Sequence, residues 1–408
     1  MARIRSFRAL RPLPESACGV SAVPYDVVNA EEARALASGN PWSFLHVSRA
    51  EIDLPPSTDP YSNLVYSHAL ENFTKLCADA PLIQEETPSL YFYRLQMGAH
   101  RQLGLAACYS LDEYNSGLIK KHERTRKDKE DDRTRHIITL KAQTGPVFLI
   151  YRASNAIDEI AGRVTSTPPL FDFEAPDKVR HTIWRIDARN ESALIAEFGR
   201  LPCLYIADGH HRAASAARTR AYLAEKEPGS SYADADWVYA VAFPHNQTLI
   251  MPYHRVVKDL AGQTPQEFLT KIKARGFLCG SANPAPAAKG DISMYLEGSW
   301  YGLRLKAGSN SADIGSTLDV SLLQDQILSP MLNILDPRTD KRIDFVGGIR
   351  GTGELERLVN ENKAAVAFSL CPVSVEDLMR LADAGEIMPP KSTWFEPKLR
   401  DGLLNHLI

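Results

Sequence analysis

The sequence contains no run of about 18 uninterrupted apolar residues, so no membrane-spanning helix is expected. The positively charged start, Met1-Ala2-Arg3-Ile4-Arg5-Ser6-Phe7, is not followed by an apolar stretch of the kind that export signals need. An excess of one charge sign is missing as well, with 47 Lys plus Arg against 50 Asp plus Glu and a net charge of -3. Without an overall basic field, a nucleic-acid partner would need a local patch, and none is expected. The six cysteines form no C-x-x-C pair and sit mostly among apolar neighbours, as in Leu201-Pro202-Cys203-Leu204-Tyr205. They read as buried thiols in a reducing compartment, which places the chain in the cytoplasm. There is no G-x-x-x-x-G-K-[ST], no G-x-G-x-x-G and no G-x-S-x-G. P-loop, Rossmann and serine-hydrolase readings therefore lose their main support.

What is present is the composition of a globular protein, 44% hydrophobic and 24% charged over 408 residues. That length predicts two domains. Short apolar, β-branched or aromatic runs at Ser89 to Leu95, Leu103 to Tyr109, Val147 to Tyr151, Cys203 to Ala207 and Trp237 to Phe243 predict buried strands. Helical patterns lie between them, with Asn29 as an N-cap ahead of Glu31 and Glu32, and an alanine-rich stretch from Ala213 to Glu225. Strands and helices mixed in this way predict an α/β fold with mixed sheets. The texture changes near Val257, and the expected domains are 1–257 and 258–408. In the second, helices are predicted near Ser321 to Ile334, at Glu354 to Asn360 and after Ser374, with strands at Ile343 to Val346 and Ala364 to Leu370.

The sharpest chemical signal is the predicted strand Leu204-Tyr205-Ile206-Ala207 running into Asp208-Gly209-His210-His211-Arg212 and then into the alanine-rich helix. A strand-to-helix turn aims free N–H groups and the positive end of a helix dipole at one point, which suits a phosphate. Gly209 permits close approach, while Arg212 and one histidine can add charge-assisted bonds. The bland alternative is that Asp208 caps the helix and the histidines lie on the surface. A histidine-bound zinc is a third reading, but no second spaced ligand pair such as H-x-x-x-H accompanies it.

Lys120 to His136 is a second candidate. Its mixed charges at i,i+4 spacing read first as a solvated helix, yet in His122-Glu123-Arg124-Thr125 a carboxylate sits among cations that keep it ionised, as a general base requires. Pro390-Lys391-Ser392-Thr393 presents a cation and two hydroxyls on a proline-fixed loop, suited to a phosphate or carboxylate, or is a plain loop after a helix. Pro24-Tyr25-Asp26-Val27 and Pro252-Tyr253-His254-Arg255 read as pocket walls.

Pro24-Tyr25-Asp26-Val27, His122-Glu123-Arg124-Thr125 and Ala207-Asp208-Gly209-His210-His211-Arg212, in that order, resemble a large bacterial family known as a domain of unknown function, over essentially the whole chain. His122-Glu123, the Asp208 to Arg212 turn, Phe345-Val346-Gly347-Gly348 and Lys391-Ser392-Thr393 are also similar to the free L-serine kinases of archaea, whose catalytic core is ParB/sulfiredoxin-like. That resemblance implies such a core with an N-terminal extension and a second C-terminal α/β domain completing the site. It implies transfer of a phosphoryl group from ADP or ATP, with Mg²⁺, to free L-serine, giving O-phospho-L-serine. Glu123 and Asp208 would be catalytic, with Asp208 also reaching Mg²⁺. Gly209, His210, His211 and Arg212 would bind the nucleotide phosphates, and His122, Arg124, Thr125, Lys391, Ser392 and Thr393 the substrate. Two alternatives stand beside it: a phosphoserine phosphatase or exchange enzyme using the same site, and a ParB-like, nucleotide-switched nucleic-acid-binding or regulatory protein. The stretch between His122-Glu123 and the turn is longer than in the kinases, and about the first 115 residues have no clear counterpart there.

Overall fold

The computed structural model describes residues 2–79, 82–226, 233–305 and 314–408. The chain is mixed α/β and divides into two units. The first contains Met1–Lys121, Thr125–Thr248 and Pro397–Ile408; the second contains His122–Arg124 and Leu249–Glu396.

The predicted strands assemble the first unit. Its nine-stranded sheet has the order Ile119–Lys120, Leu204–Asp208, Val147–Tyr151, Trp237–Pro244, His100–Ser110, Tyr91–Met97, Val179–Arg185 and Phe171–Glu174, with Ile4–Arg5 paired to His100–Ser110 off that path. Trp237–Pro244 runs parallel to Val147–Tyr151, while Leu204–Asp208 pairs with the other side of Val147–Tyr151 antiparallel. Leu149, Leu204, Ile206, Ala240 and Ala242 pack in one core with Ile157, Ile160, Leu194, Phe198 and Ala213 from the helices Asn155–Thr165, Ala188–Phe198 and His210–Lys226. Their neighbours Phe148, Ile150, Val241 and Phe243 are buried as well. Burial on both faces is why these strands are continuous apolar runs rather than alternating ones.

A smaller core in the same unit gathers Phe44, Leu45, Phe73 and Leu140. There Asn29 caps Ala30–Ala37 through a reciprocal capping box with Glu32. The charged stretch after Lys120 forms the helix Lys127–Leu140, and it is not solvated all round. Lys127 and Asp131 pair across one turn at 2.7 Å, but Asp132, Thr134, His136, Ile137 and Leu140 are buried.

The second unit has a six-stranded sheet, Leu278–Ser281, Ser299–Arg304, Asp291–Leu296, Val366–Ser369, Tyr253–Val257 and Ile343–Gly347, in that order. Leu355 and Val359 of the helix Gly351–Asn360 pack on it with Val256, Tyr295 and Val346. The expected helix from Ser321 to Ile334 is broken into Asp319–Leu323, a π turn at Gln324–Leu328 and Ser329–Leu332. Ser374 caps Val375–Asp383 by accepting from the Asp377 N–H.

Two expectations need correction. The division falls at Leu249 rather than near Val257, and the chain does not finish in the domain expected at 258–408. His406–Leu407 pairs with Ala142–Gln143, and Asn405 exchanges backbone hydrogen bonds with Leu10, so the end of the chain belongs to the first unit. Such non-local pairing leaves no mark in local composition. The cysteines are not uniformly buried either: all six are free, but Cys18 and Cys279 are exposed. Among the described residues, no helix is long and apolar enough to cross a membrane.

Candidate active site

The turn predicted from sequence forms as a strand end, a bend and a helix start. Leu204–Asp208 carries a register shift against Val147–Tyr151 between Ile206 and Asp208, and this irregularity re-aims the end of the strand. Gly209 follows at φ +90, and the helix His210–Lys226 begins immediately after it. The backbone angle requires glycine, and a Cβ there would lie 2.9 Å from Nε of Arg212 and displace its guanidinium. The first-turn N–H groups of a helix have no intrahelical acceptor, and the dipole adds a positive field there.

Asp208 accepts from the Gly209 N–H at 2.8 Å and from Nζ of Lys398 at 3.1 Å, with Nη2 of Arg212 at 3.8 Å. Burial works against its ionisation, but Lys398 and Arg212 outweigh that, and the carboxyl is held well below its usual range. Asp208 is therefore an anion across the physiological range.

The neighbouring side chains are placed as follows. His210 is buried. His211 accepts at Nε2 from the Arg126 N–H at 3.1 Å, which puts the proton of its neutral ring on Nδ1 and ties the start of Lys127–Leu140 to the turn. Arg212 is buried, donates to the Pro146 carbonyl and lies against Gly209. Thr125 donates to Glu130, which in turn pairs with Arg218 at 3.2 Å.

Near the turn, Arg212 also lines a cavity of about 30 Å³ together with Tyr25, Arg133, His136, Thr144 and Asp401. That volume holds on the order of one water and no substrate. Burial raises Asp401 to about 7 against the pull of Arg212 and Arg133. Burial lowers His136 to about 4, with Arg133 acting in the same direction.

The second unit holds the other candidates. His122 is buried, and its carbonyl accepts from the Met388 N–H at 2.8 Å. Glu123 and Arg124 line a cavity of about 400 Å³ with Pro389 and Pro390. Next along the chain, Lys391 has φ +58, Ser392 is buried and donates to the Pro389 carbonyl at 2.6 Å, and Arg255 donates to the Lys391 carbonyl at 2.9 Å. Ser392 thus spends its proton on holding the loop. His254 is structural: it is buried, accepts from the Leu370 N–H at 3.3 Å and is pushed down to about 4 by burial and Arg255.

Lys398 and Asp401 escaped the sequence reading. Lys398 stands in Glu396-Pro397-Lys398 with no motif around it, and its partner Asp208 lies 190 positions earlier in the chain. The Asp401-Gly402 dipeptide offers only a turn signal; in the structure Gly402 takes φ +86 against the Phe44 ring.

The fold and this turn define a mixed α/β protein in which a strand-to-helix bend holds an ionised carboxylate. The chain belongs to the family described as protein of unknown function (DUF1015), whose pattern matches residues 4–321. No curated protein matches it. Among solved structures, it is similar to a conserved hypothetical protein from Pyrococcus furiosus, at 15% identity and a TM-score of 0.37 over 73% of this chain and 94% of that one. It is also similar to a free serine kinase variant in complex with ADP, at 12% identity and a TM-score of 0.36 over 73% and 92% of the two chains. A third likeness is to SbnI with a C-terminal truncation from Staphylococcus aureus, at 12% identity and a TM-score of 0.33 over 72% and 85%.

Proposed function

We propose that this chain is a small-molecule phosphotransferase that converts free L-serine to O-phospho-L-serine with ADP or ATP. The observation that carries the reading is the Asp208–Gly209 bend at the head of His210–Lys226, with an ionised carboxylate, a close-approach glycine and the positive end of the helix dipole. The motif resemblance to the free L-serine kinases, including their ParB/sulfiredoxin-like core, supplies the acceptor and the direction.

Phosphoryl transfer asks mainly for positioning and for charge stabilisation around the phosphates. Gly209 and the N–H groups of His210, His211 and Arg212 hold the donor's phosphates, and Lys398 supplies a cation beside them. Glu123 takes the serine hydroxyl proton as the oxygen attacks the terminal phosphorus, and the bond from that phosphorus to the leaving nucleotide breaks. ATP thereby leaves as ADP, or ADP as AMP. His122, Arg124, Thr125, Lys391, Ser392 and Thr393 enclose the acceptor.

Asp208 fits Mg²⁺ in being an ionised oxygen ligand, but Lys398 and Arg212 already offset its charge. A metal that keeps its waters and binds through one carboxylate plus substrate phosphates matches that donor set, so the ion would arrive with the nucleotide. When bound, it would neutralise charge on the phosphate oxygens.

The test is to incubate the purified protein with L-serine, Mg²⁺ and ADP, ATP or pyrophosphate, and to look for O-phosphoserine by mass spectrometry. Absence of product with every donor discards the reading. Glu123→Gln is expected to slow turnover at least about a hundredfold with an unchanged melting curve, the usual loss for a general base. Near wild-type turnover would remove Glu123 from that role. Gly209→Ala, which forces φ +90 on alanine and a 2.9 Å contact with Arg212, should weaken ADP binding at least about tenfold in calorimetry. Equal affinity would show that the phosphates bind elsewhere.

A further inference from the structure

The cavity beside Glu123 carries a statement about the acceptor. Its volume of about 400 Å³ lies within the range of roughly 300–1,000 Å³ that encloses a drug-sized ligand, far more than free serine fills. Beyond Glu123 and Arg124 the lining includes Ser316, Gln324, Asp325 and Arg338, together with 387–390.

The wall is preformed. Ser321 donates to the Gly315 carbonyl at 2.6 Å, the Gly315 N–H donates to Glu386 at 3.1 Å, and Nε2 of Gln324 donates to the Ile334 carbonyl at 2.7 Å. Fixing the Gln324 amide in this way leaves its Oε1 buried with no hydrogen-bond partner among the described residues, an acceptor available to a ligand N–H or O–H. Gln324 opens the π turn Gln324–Leu328, an interruption of helix that occurs often at functional sites.

Charge decides between donor and acceptor. Arg124 and Arg338 balance Glu123 and Asp325 around the cavity. Arg338 is further neutralised by Asp336, which accepts from its Nε at 2.9 Å and its Nη2 at 2.7 Å. A lining with no net positive charge disfavours a polyphosphate and matches a ligand that carries both signs.

We infer that this cavity is the acceptor pocket and that it takes a zwitterionic hydroxy compound larger than free serine. Its hydroxyl end lies at Glu123 and the rest extends along the π turn. The inference rests on the reading of Glu123 as the base and widens the acceptor class within it.

The experiment is calorimetric titration of the full chain with L-serine, L-seryl-glycine and ADP, which reads binding whether or not transfer occurs. L-seryl-glycine is expected to bind at least about tenfold more tightly than L-serine and to resist displacement by ADP. Gln324→Leu, which also gives up the Ile334 hydrogen bond and some stability, and the surface variant Asp325→Asn, with an unchanged melting temperature, should each weaken dipeptide binding at least about fivefold. Dipeptide affinity no better than that of serine, displacement by ADP, or wild-type binding in both variants overturns the inference. Phosphoserine formation alongside such a failure leaves the transfer reading standing. Tight dipeptide binding with no phosphorylation of any acceptor upholds the ligand class and removes the transfer reading.

Discussion

Asp208→Asn is expected to lower O-phosphoserine formation by about a thousandfold or more, with the protein still folding cooperatively. The carboxylate accepts from Lys398 at 3.1 Å and from the Gly209 N–H at 2.8 Å, and burial makes its charge dependent on those partners. Asparagine keeps the shape and removes the charge, so the bend loses its anion while Lys398 keeps its own charge with 12% side-chain exposure. Losing that carboxylate's charge beside a largely buried cation destabilises, and a lower melting temperature is expected. Adding Lys398→Met should recover part of that stability by removing the cation, yet turnover should stay low. If the double variant regains turnover, Asp208 acts through the fold and not in the reaction. The phosphoserine assay and a thermal melt on the same preparations separate these outcomes.

Asp401→Asn is expected to stabilise the protein above neutral pH, with almost no effect near pH 4. Asp401 is buried among Arg212, Arg133, Arg400 and Asp26, and its Oδ1 has no hydrogen-bond partner among the described residues. Burial raises its carboxyl from 3.8 to about 7 despite the arginines. The unfolded chain therefore releases this proton near pH 4 and the folded chain near pH 7. Between those values the folded state binds more protons, so stability falls as pH rises and levels off above about 7. The gap corresponds to at most about 4 kcal/mol for a group this deeply placed. The wild-type minus variant difference in unfolding free energy, measured by urea titration from pH 4 to 8, isolates this group from the opposite, low-pH loss that the depressed Asp208 produces. A difference that stays flat across that range would show that Asp401 ionises like an exposed carboxylate.

The local rules held where one residue's neighbours in sequence are also its neighbours in space. Asn29 and Glu32 formed their reciprocal cap, and Val147–Tyr151 is a strand over the span its apolar run predicted. Leu204–Asp208 led into the helix as the change from an apolar run to an alanine-rich stretch implied. The π turn inside the helix expected at Ser321 to Ile334 was not legible. Around it the Gln324 amide donates to the Ile334 carbonyl and the Ser321 hydroxyl to the Gly315 carbonyl, side-chain bonds that the apolar periodicity of a helix does not encode.

By itself, then, the sequence determined the mixed α/β class, most of the central strands, and the bend at Gly209 that presents helix N–H groups. These follow from periodicity, glycine's freedom at positive φ and the helix dipole, all of which act over a few residues. Tertiary structure alone decided that Lys398 keeps Asp208 ionised, that Asp401 sits uncharged until near neutrality among arginines, and that the chain's last strand returns to the first unit. Coulomb attraction and desolvation depend on distance and burial in space. Residues 190 positions apart can therefore set each other's charge without any trace in the intervening sequence.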